Sequence, residues 1–498
     1  MAAAAPPRRV VGGDGRVVPR VALADGRAPV SPLPHVVVLG GGPAGCGAAY
    51  QLRRTERAHV TLLERQGQVG GNAGSFEWGG QYLDFGSHRL HYSCEPGILA
   101  DIQRLLDGDL LARQRNGRIR LRGKLIRFPF KATDLLTSLD PAFAVGVTRD
   151  MVVGKLRRSN GHLDTFESVL RASLGPTICN GFYFPYARKI WGREPADLSG
   201  TQARRRVTAN SFARLLKRIV KPVGGGLFHY PRKGFGQITN AFANGARSLG
   251  AELLLQTSVL RLEPPGVPGQ QWRIVVDQGG QTRTISADHL WSTIPITQLA
   301  RLIQPGPPPE LLDAATRIDF RAMLLVYLRL DVPQFTTTDA HYFPESDIAI
   351  TRLSEPRNYS GVTEPRGTTV LCAELPCSPD DAVWSMSDAE LGELVVRDIR
   401  TAGLPLARPP VAVHVRRLRH AYPIYLMGYE RHFNALDEWL GGVPRLLTFG
   451  RQGLFAHDNT HHALYMAYSA VECLRGAEFD TSQWARFREV FATHVVED

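Results

Sequence analysis

Residues 35–54 read HVVVLGGGPAGCGAAYQLRR, and this stretch decides the fold. Its apolar run, residues 36–39, predicts a short buried strand of a parallel sheet. Three glycines follow in the spacing G-x-G-x-x-G: Gly40, Gly42 and Gly45. The first permits a tight turn, the second lets a phosphate approach the backbone, and the third lets a helix pack closely on the strand.

The residues after the glycines complete a strand–turn–helix–strand unit. Pro43 and Ala44 open the predicted helix, whose N-terminal N–H groups can then face phosphates. A second strand, HVTLLE, ends at Glu64, 19 residues after Gly45, where a carboxylate can accept hydrogen bonds from a ribose. The unit therefore predicts binding of a dinucleotide, NAD or FAD, and a glycine-rich loop without a ligand is the weaker interpretation.

The next segments, RQGQVGGNAGSF and GGQYLDFGSHRLH, decide between NAD and FAD as the predicted cofactor. The unit followed by the doublet Gly70-Gly71 resembles the FAD domain of the flavin amine oxidase superfamily. That resemblance implies FAD as cofactor, although Asn72 stands where arginine is usual. It assigns the following residues to cofactor binding: Gly40, Gly42, Pro43, Ala44, Gly45, Glu64, Arg65, Gly70, Gly71, Asn72, Gly86, Ser87 and His88.

Two further segments resemble UDP-galactopyranose mutase and its relatives. FYFPYARKIWGREPADLS, residues 182–199, matches the pattern Y-x-x-K-x-W-G-x-x-P-x-x-L, and YPRKGFGQ begins at Tyr230. The resemblance makes Tyr186 and Trp191 candidates for substrate binding, because aromatic rings recognise flat molecules at low entropic cost. Core packing is an equal alternative for both rings. The same resemblance places the backbone of Val259 at the adenine end of the cofactor.

An arginine and two tyrosines are expected to bind an anion. Phe320-Arg321 before an apolar strand and the segment YPIYLMGYERHFNAL from Tyr422 resemble parts of the same relatives. A guanidinium offers a planar fork to a diphosphate or carboxylate, and tyrosine hydroxyls can complete the site. Arg321, Tyr422 and Tyr425 are therefore assigned to the substrate, and Arg321→Ala is expected to weaken anion binding without loss of FAD.

The tail segment GRQGLFAHDNTHH, residues 450–462, contains three histidines. In the relatives a glycine–arginine run precedes the last helix, whose N-terminus faces the flavin ring. The resemblance thus assigns Gly450, Arg451, Phe455 and Asn459 to the cofactor. The sequence offers no obvious partner set for a metal ion, so the histidines predict a flavin-facing turn and no metal site.

Three residues are catalytic candidates. His88 and Arg89 belong to GSHRLH, which runs beside the flavin ring in the relatives, and Tyr425 comes from the tyrosine segment. They are expected to contact the flavin or the substrate. The alternative for His88 is a histidine that is hydrogen-bonded in a domain seam.

Composition limits the partners. The chain has 498 residues and a net charge of +12, but its 59 basic residues are spread along the chain without a basic tail, which disfavours nucleic acid. An anionic or sugar-like small molecule explains the excess equally well. No run of about 18 apolar residues predicts a membrane span, and no secretory signal begins the chain. Scattered cysteines fit a cytoplasmic protein, and the oligomeric state stays open.

The predicted fold class is α/β. A Rossmann-type FAD-binding domain is expected to be discontinuous, with a helical insertion and a sheet-rich substrate domain between its parts. The insertion includes a predicted amphipathic helix at residues 210–221. The ranges are 1–33 for a disordered leader, 34–110, 220–300 and 430–498 for the FAD-binding domain, 111–219 for the mainly helical insertion, and 301–429 for the substrate domain.

These features predict an FAD-dependent oxidoreductase that oxidises a small polar or sugar-like metabolite by hydride transfer to the flavin, in bacterial specialised biosynthesis. No second G-x-G-x-x-G unit supports a dedicated NADPH site. Two alternatives stay open. One is a flavin-dependent, non-redox mutase acting on the ring of a nucleotide sugar, and the other is a non-catalytic flavin-binding partner protein.

Overall fold

The computed structural model describes residues 33–128, 141–156, 163–206 and 226–496. The apolar run at residues 36–39 forms the central strand of a five-stranded parallel sheet and is almost wholly buried. Both faces of this sheet are covered, which explains the unbroken apolar pattern. In spatial order its strands are β10 (Glu252–Leu254), β2 (His59–Leu63), β1 (His35–Leu39), β14 (His289–Ser292) and β20 (Leu446–Thr448).

Three distant parts of the chain build this sheet, and each lies within one range expected for the FAD-binding domain. Helices α1 (Pro43–Arg54), α7 (Gln237–Ser248) and α12 (Thr460–Cys473) pack together on one face. The ring of Tyr50 on α1 meets Phe242 edge-on at 5.3 Å. A Cβ on Gly47 would lie 2.7 Å from the Leu464 side chain, so glycine lets α1 and α12 approach closely.

A seven-stranded sheet forms the second layer of structure. Within this sheet only β16 (Ala340–Tyr342) and β7 (Gly117–Leu121) pair in parallel, and the other neighbouring strands are antiparallel. Helix α10 (Asp388–Thr401) covers one face, and Ser387 with Glu390 forms its capping box. In spatial order the strands are β19 (Ala412–Ile424), β15 (Asp319–Leu330), β18 (Thr369–Cys377), β17 (Arg352–Ser354), β16 (Ala340–Tyr342), β7 (Gly117–Leu121) and β8 (Lys124–Phe128).

Residues 110–128 differ from the mainly helical expectation for 111–219. They form β6 (Leu110–Gln114) together with β7 and β8, because alternating apolar residues such as Ile119 and Leu121 bury one strand face. Helices fill the described part of 141–206 instead. The helix predicted at 210–221 and the leader before Leu33 lie outside the described residues.

The other elements complete the two layers. Three smaller antiparallel sheets contain β5 (Leu90–His91), β9 (Leu227–Pro231) and β6; β11 (Thr257–Glu263), β12 (Trp272–Gln278) and β13 (Gln281–Ala287); and β3 (Ser75–Trp78) with β4 (Gln81–Asp84). A short hairpin joins β21 (Leu474–Arg475) and β22 (Glu478–Phe479). The remaining helices of seven or more residues in the described ranges are α2 (Pro96–Leu106), α3 (Pro141–Leu156), α4 (Phe166–Leu174), α5 (Phe184–Trp191), α6 (Gly200–Arg206), α8 (Ile296–Leu302), α9 (Pro309–Thr316), α11 (Tyr429–Gly441) and α13 (Thr481–Phe491). Across the described ranges, every helix is too short or too polar to cross a bilayer.

Candidate active site

Two glycine turns meet at the carboxyl end of the parallel sheet. Gly40 has a φ of +99°, and a Cβ there would lie 2.6 Å from the side chain of Thr293. Gly42 is the N-cap of α1, and a Cβ on Gly71 would lie 3.1 Å from the Gly42 Cα. Larger residues would push the turns apart. The glycines therefore keep two stretches of backbone close together beside the cavity that they line.

The N-terminus of α1 fits a diphosphate. Its N-cap residue makes no side-chain capping bond, and its first turn carries no acidic residue. Gly42, Pro43 and Ala44 line the cavity, so the first N–H groups of a 12-residue helix have no capping group between them and the cavity. Gly45 lies behind this surface, because a Cβ there would lie 1.9 Å from the Gly40 carbonyl oxygen.

Glu64 lies at the far end of the same cavity. Its carboxylate accepts hydrogen bonds from the backbone N–H groups of Gly41 and Gln66, each at 2.8 Å. These bonds fix the carboxylate at the end of β2, where Glu64, Arg65 and Val259 line the cavity. This is the position expected for the ribose and adenine end of the cofactor.

A buried ion pair anchors the segment that contains His88. The carboxylate of Glu374 receives two hydrogen bonds from Arg352, at 2.8 and 2.7 Å, and one from the Ser87 N–H at 2.7 Å. A Cβ on Gly86 would lie 3.2 Å from the Glu374 Oε1. Glycine at this position therefore lets the chain pass over the carboxylate and present Ser87 and His88 to the cavity.

His88 is a neutral imidazole at neutral pH. Burial is the main cause that lowers its pKa to about 4. Its Nε2 lies 3.0 Å from the Phe85 carbonyl oxygen, which can only accept, so Nε2 carries the hydrogen and Nδ1 is an acceptor. The ring also stacks on Phe235 at 5.4 Å. His88 can therefore accept a proton or a hydrogen bond, with its ring held in one orientation.

Arg89 remains a cation inside the protein. Its guanidinium donates to the hydroxyls of Tyr342 at 3.1 Å and Tyr359 at 3.2 Å, and it lies over the rings of Phe228 and Tyr359. Burial acts to lower its pKa, but the two tyrosines outweigh burial and the net pKa is raised. Arg89 lines the cavity as a fixed positive charge.

The tail turn, residues 450–459, closes one side of the cavity. Gly450 has a φ of +79°, and a Cβ there would lie 2.8 Å from the Ala44 Cβ, so the tail contacts the start of α1. Arg451 donates to the Ala421 carbonyl oxygen at 2.7 Å and lies over the Tyr422 ring. Burial lowers the pKa of this guanidinium. Asn459 is the N-cap of α12 and also lines the cavity.

An aromatic wall lies beside the tail turn. Trp191 meets the rings of Tyr422 at 5.9 Å and His457 at 5.1 Å, both edge-on, and the Arg206 guanidinium lies over Trp191 and Tyr422. Burial, reinforced by Arg206, holds the pKa of His457 well below its usual value. Tyr186 lines the cavity on the same side. The structure thus brings three of the four predicted substrate aromatics, those at positions 186, 191 and 422, to the same cavity.

The cavity is large and cationic. Its volume of about 1870 Å³ exceeds the range of about 300–1,000 Å³ that holds one drug-sized ligand, which leaves room for a dinucleotide and a second molecule. Among the described residues that line it, ten arginines face two carboxylates, Glu64 and Asp458. Such a charge excess attracts anionic ligands such as a cofactor diphosphate.

The structure corrects two predicted site residues. Arg321 does not line the cavity: its guanidinium donates to the Ile190 carbonyl oxygen at 3.1 Å and to Ser378 Oγ at 2.7 Å, and it is 7% exposed. Arg321 therefore links helix α5, which contains Ile190, to the end of strand β18 in the seven-stranded sheet. Tyr425 is also buried away from the cavity, and its hydroxyl donates to the Phe455 carbonyl oxygen at 2.8 Å. Neither residue is placed to touch a substrate.

Five residues assigned to the cofactor lie behind the cavity lining and shape it through packing: Gly45, Gly70, Gly86, Gly450 and Phe455. Phe455 is buried, with a φ of +47°, and packs among Tyr425, Tyr429 and Phe320. Asn72 lines the cavity, but its amide donates to the His420 carbonyl oxygen at 2.7 Å. The asparagine in place of arginine therefore links the glycine doublet to β19.

Sequence reasoning missed several cationic residues of the site. Arg416, Arg417 and Arg419 on β19, and Arg352 on β17, line the cavity. The stretch HVRRLRH, residues 414–420, contains three arginines and two histidines and was a visible signal. Its orientation depends on how β19 pairs with β15, which the sequence did not reveal.

Replacing Arg321 with methionine is expected to lower the free energy of unfolding by about 2 kcal/mol, because buried carbonyl and hydroxyl acceptors lose their donor. Substrate affinity should not change, since the guanidinium lies outside the cavity. Urea unfolding and substrate titration check the two parts. Arg317→Met is the control: that side chain is 64% exposed and should cost little. Loss of substrate affinity with unchanged stability would contradict this interpretation.

Comparison with known proteins identifies the family of this chain. The sequence profile of the family described as flavin containing amine oxidoreductase matches residues 43–463, most of the chain. The chain belongs to this family of flavin-containing amine oxidoreductases. Its cofactor is FAD, and the resemblance noted from the sequence is confirmed. No curated protein matches the chain by sequence.

Solved structures show the same fold. A reduced UDP-galactopyranose mutase is similar with a TM-score of 0.76 at 20% identity, over 93% of this chain and 100% of that one. A putrescine oxidase bound to putrescine has a TM-score of 0.62 at 15% identity, over 88% and 98%. A fatty acid isomerase from P. acnes that produces CLA has a TM-score of 0.62 at 14% identity, over 88% and 98%. Oxidases and isomerases thus share this architecture.

Proposed function

We propose that this protein is an FAD-dependent oxidoreductase that oxidises an anionic metabolite of the polar or sugar-like class. The observation that carries the proposal is the cavity itself: it continues from the glycine turns past His88 and Arg89 to the aromatic wall, and arginines dominate its charged lining. When bound, FAD supplies an acceptor for a hydride from a substrate C–H bond.

The residues around the cavity divide the binding task. The α1 N-terminus, Glu64 and the tail turn would hold the cofactor, as their contacts above support. Arg89 and the arginines of β19 would bind the substrate anion, because a fixed guanidinium forms bidentate hydrogen bonds with carboxylates and phosphates. Tyr186, Trp191 and Tyr422 would pack against a flat face of the substrate.

His88 would take the proton that accompanies oxidation. Its Nδ1 is an acceptor, and its pKa of about 4 keeps the ring neutral and able to accept at neutral pH. A hydrogen bond from a substrate hydroxyl or ammonium group to Nδ1 would orient the C–H bond. Arg89 and His88 are then the catalytic residues of the proposal, and Tyr425 is not.

The oxidised, purified protein is expected to lose its flavin absorbance when mixed anaerobically with the right anionic metabolite. A panel of hydroxy acids, amino acids and sugar phosphates would be followed in the flavin band. The methyl ester of an active acid is the matched control, and it should react much more slowly because it lacks the charge that the arginines bind. Equal rates for acid and ester would contradict the role of the arginines.

A second candidate, a non-redox mutase of nucleotide sugars, is favoured by the likeness to UDP-galactopyranose mutase. The same experiment separates the two. A mutase would show no bleaching with any substrate, and ring isomerisation would appear only after reduction with dithionite. A non-catalytic flavin-binding partner protein would show neither reaction.

A further inference from the structure

A cluster of histidines surrounds a buried aspartate next to the tail turn. Asp458 ends the turn, His462 lies on the first turn of α12, and His494 follows α13, which returns the chain to this point. The Asp458 Oδ1 lies 3.5 Å from the His462 Nδ1 and 3.4 Å from the His494 Nδ1. One ligand atom from each of the three residues lies within 4.8 Å of the others.

The carboxylate of Asp458 has unmet bonding capacity. The residue is 3% exposed, and neither carboxylate oxygen accepts a hydrogen bond from the described part of the chain. The neighbouring guanidinium of Arg451 is directed to the backbone oxygen of Asp458 instead, at 3.4 Å. Burying a carboxylate in this way is costly unless a cation, either a metal ion or a protonated histidine, lies beside it.

One nitrogen of each histidine lies next to this carboxylate. The His462 Nδ1 accepts the N–H of Asn459 at 3.3 Å, so it bears a lone pair rather than a hydrogen, and a metal ion bound there would replace this long hydrogen bond. The buried His494 Nδ1 makes no hydrogen bond among the described residues. The two rings stack with their centroids 4.1 Å apart and an angle of 14° between their planes.

We propose that Asp458, His462 and His494 bind one Zn²⁺ ion. A tetrahedral site with bonds of about 2.0–2.1 Å has ligand atoms about 3.3 Å apart, close to the two separations measured from Asp458. Two imidazoles and a carboxylate leave one position for a water molecule. The rings of Tyr465 and Phe491 pack around His494 and shield the site from solvent. This proposal revises the expectation from sequence that no metal binds.

The ion would tie the C-terminal tail to the active-site cavity. Asp458 and Val496 both line that cavity, and the Val496 N–H donates to the Arg205 carbonyl oxygen at 2.9 Å. A bond from the metal to His494 would hold the residues before Val496 against the tail turn. In this proposal the ion fixes the position of the C-terminal tail, and the site does not depend on the substrate proposed above.

Zn²⁺ content of the holoprotein tests the site. Protein treated with a chelator, with its FAD retained, is expected to bind one Zn²⁺ per chain in a titration followed by gel filtration and elemental analysis. His494→Gln and Asp458→Asn should each weaken Zn²⁺ binding more than about 100-fold, beyond the loss seen for residues that only orient a ligand. His59→Gln is the matched control, since His59 is exposed on β2 and should leave binding unchanged. FAD content and circular dichroism show whether each variant folds.

Co²⁺ gives a test that needs no variant. In the unmodified holoprotein, bound Co²⁺ should show the strong d–d absorption of a four-coordinate site, and added Zn²⁺ should abolish it. If the chelated protein takes up neither ion, or if His494→Gln binds Zn²⁺ as tightly as the unmodified chain, the proposal is overturned. The three residues would then hold a proton, shared between the Asp458 carboxylate and one histidine, in place of a metal ion.

Discussion

Replacing Gly42 with valine is expected to give a folded protein that no longer retains FAD. Gly42 has φ −76° and ψ −179°, an extended conformation that valine adopts readily. A Cβ at this position meets only the Gly71 Cα, at 3.8 Å, so the apoprotein has room for it. The added methyl groups would stand where the first N–H groups of α1 meet the cofactor diphosphate. We expect FAD affinity to fall at least about 100-fold, or about 2.8 kcal/mol.

The measurement is the FAD-to-protein ratio after purification, together with thermal unfolding in the presence of added FAD. A ligand that binds only the native state raises the unfolding temperature, so added FAD should stabilise the unmodified protein but not the Gly42→Val variant. Gly441→Val is the control: a Cβ at the end of α11 has nothing within 4 Å. A yellow Gly42→Val protein with normal FAD content would refute this placement of the diphosphate.

Other glycines of the motif would not give a clear answer. A Cβ on Gly45 would lie 1.9 Å from the Gly40 carbonyl oxygen, so any substitution there disturbs the contact between helix and strand. FAD loss in such a variant would reflect misfolding. Gly42 is informative because its substitution is acceptable to the apoprotein and unacceptable to the complex.

The local fold around the glycine motif could be predicted from the sequence because it is built from local patterns. The strand, glycines, helix and Glu64 lie within 30 residues, and each has a conformation or contact that only certain residue types allow. The tail turn was also predicted, from resemblance, and the contact of Gly450 with Ala44 agrees with it. Local rules and a short motif are sufficient for such features.

The substrate end was harder because side-chain direction depends on tertiary pairing. An arginine before an apolar strand looks the same in sequence whether it faces a cavity or a neighbouring helix. The register of β15 against β19 shifts between Arg321 and Met323, and such a bulge redirects side chains. Arg321 therefore bonds the Ile190 carbonyl oxygen. Likewise, the contact between His494 and His462 cannot be predicted from their spacing in the sequence, because it forms only when helix α13 leads the chain back to α12.

Removing the carboxylate of Glu374 is expected to lower the free energy of unfolding by about 3–5 kcal/mol. Glu374 is 3% exposed, and its loss leaves the guanidinium of Arg352 buried without a counter-charge and the N–H of Ser87 without an acceptor. The variant Glu374→Ala would be compared by urea unfolding with Glu364→Ala. The latter removes an exposed pair with Arg366, whose side chain is 89% exposed, and should have little measurable effect.

A double variant separates two roles of Glu374: neutralising Arg352, which affects stability, and holding the segment that presents His88, which affects activity. Arg352→Met with Glu374→Leu removes both members of the pair, so no unpaired charge remains, and most of the lost stability should return. The Ser87 N–H would still lack its acceptor, so the segment that presents His88 would stay misplaced and substrate oxidation would not recover. If stability and activity returned together, the pair would matter only for folding. If Glu374→Ala were as stable as Glu364→Ala, water would have to reach Arg352, and the cavity wall would be more open than its contacts indicate.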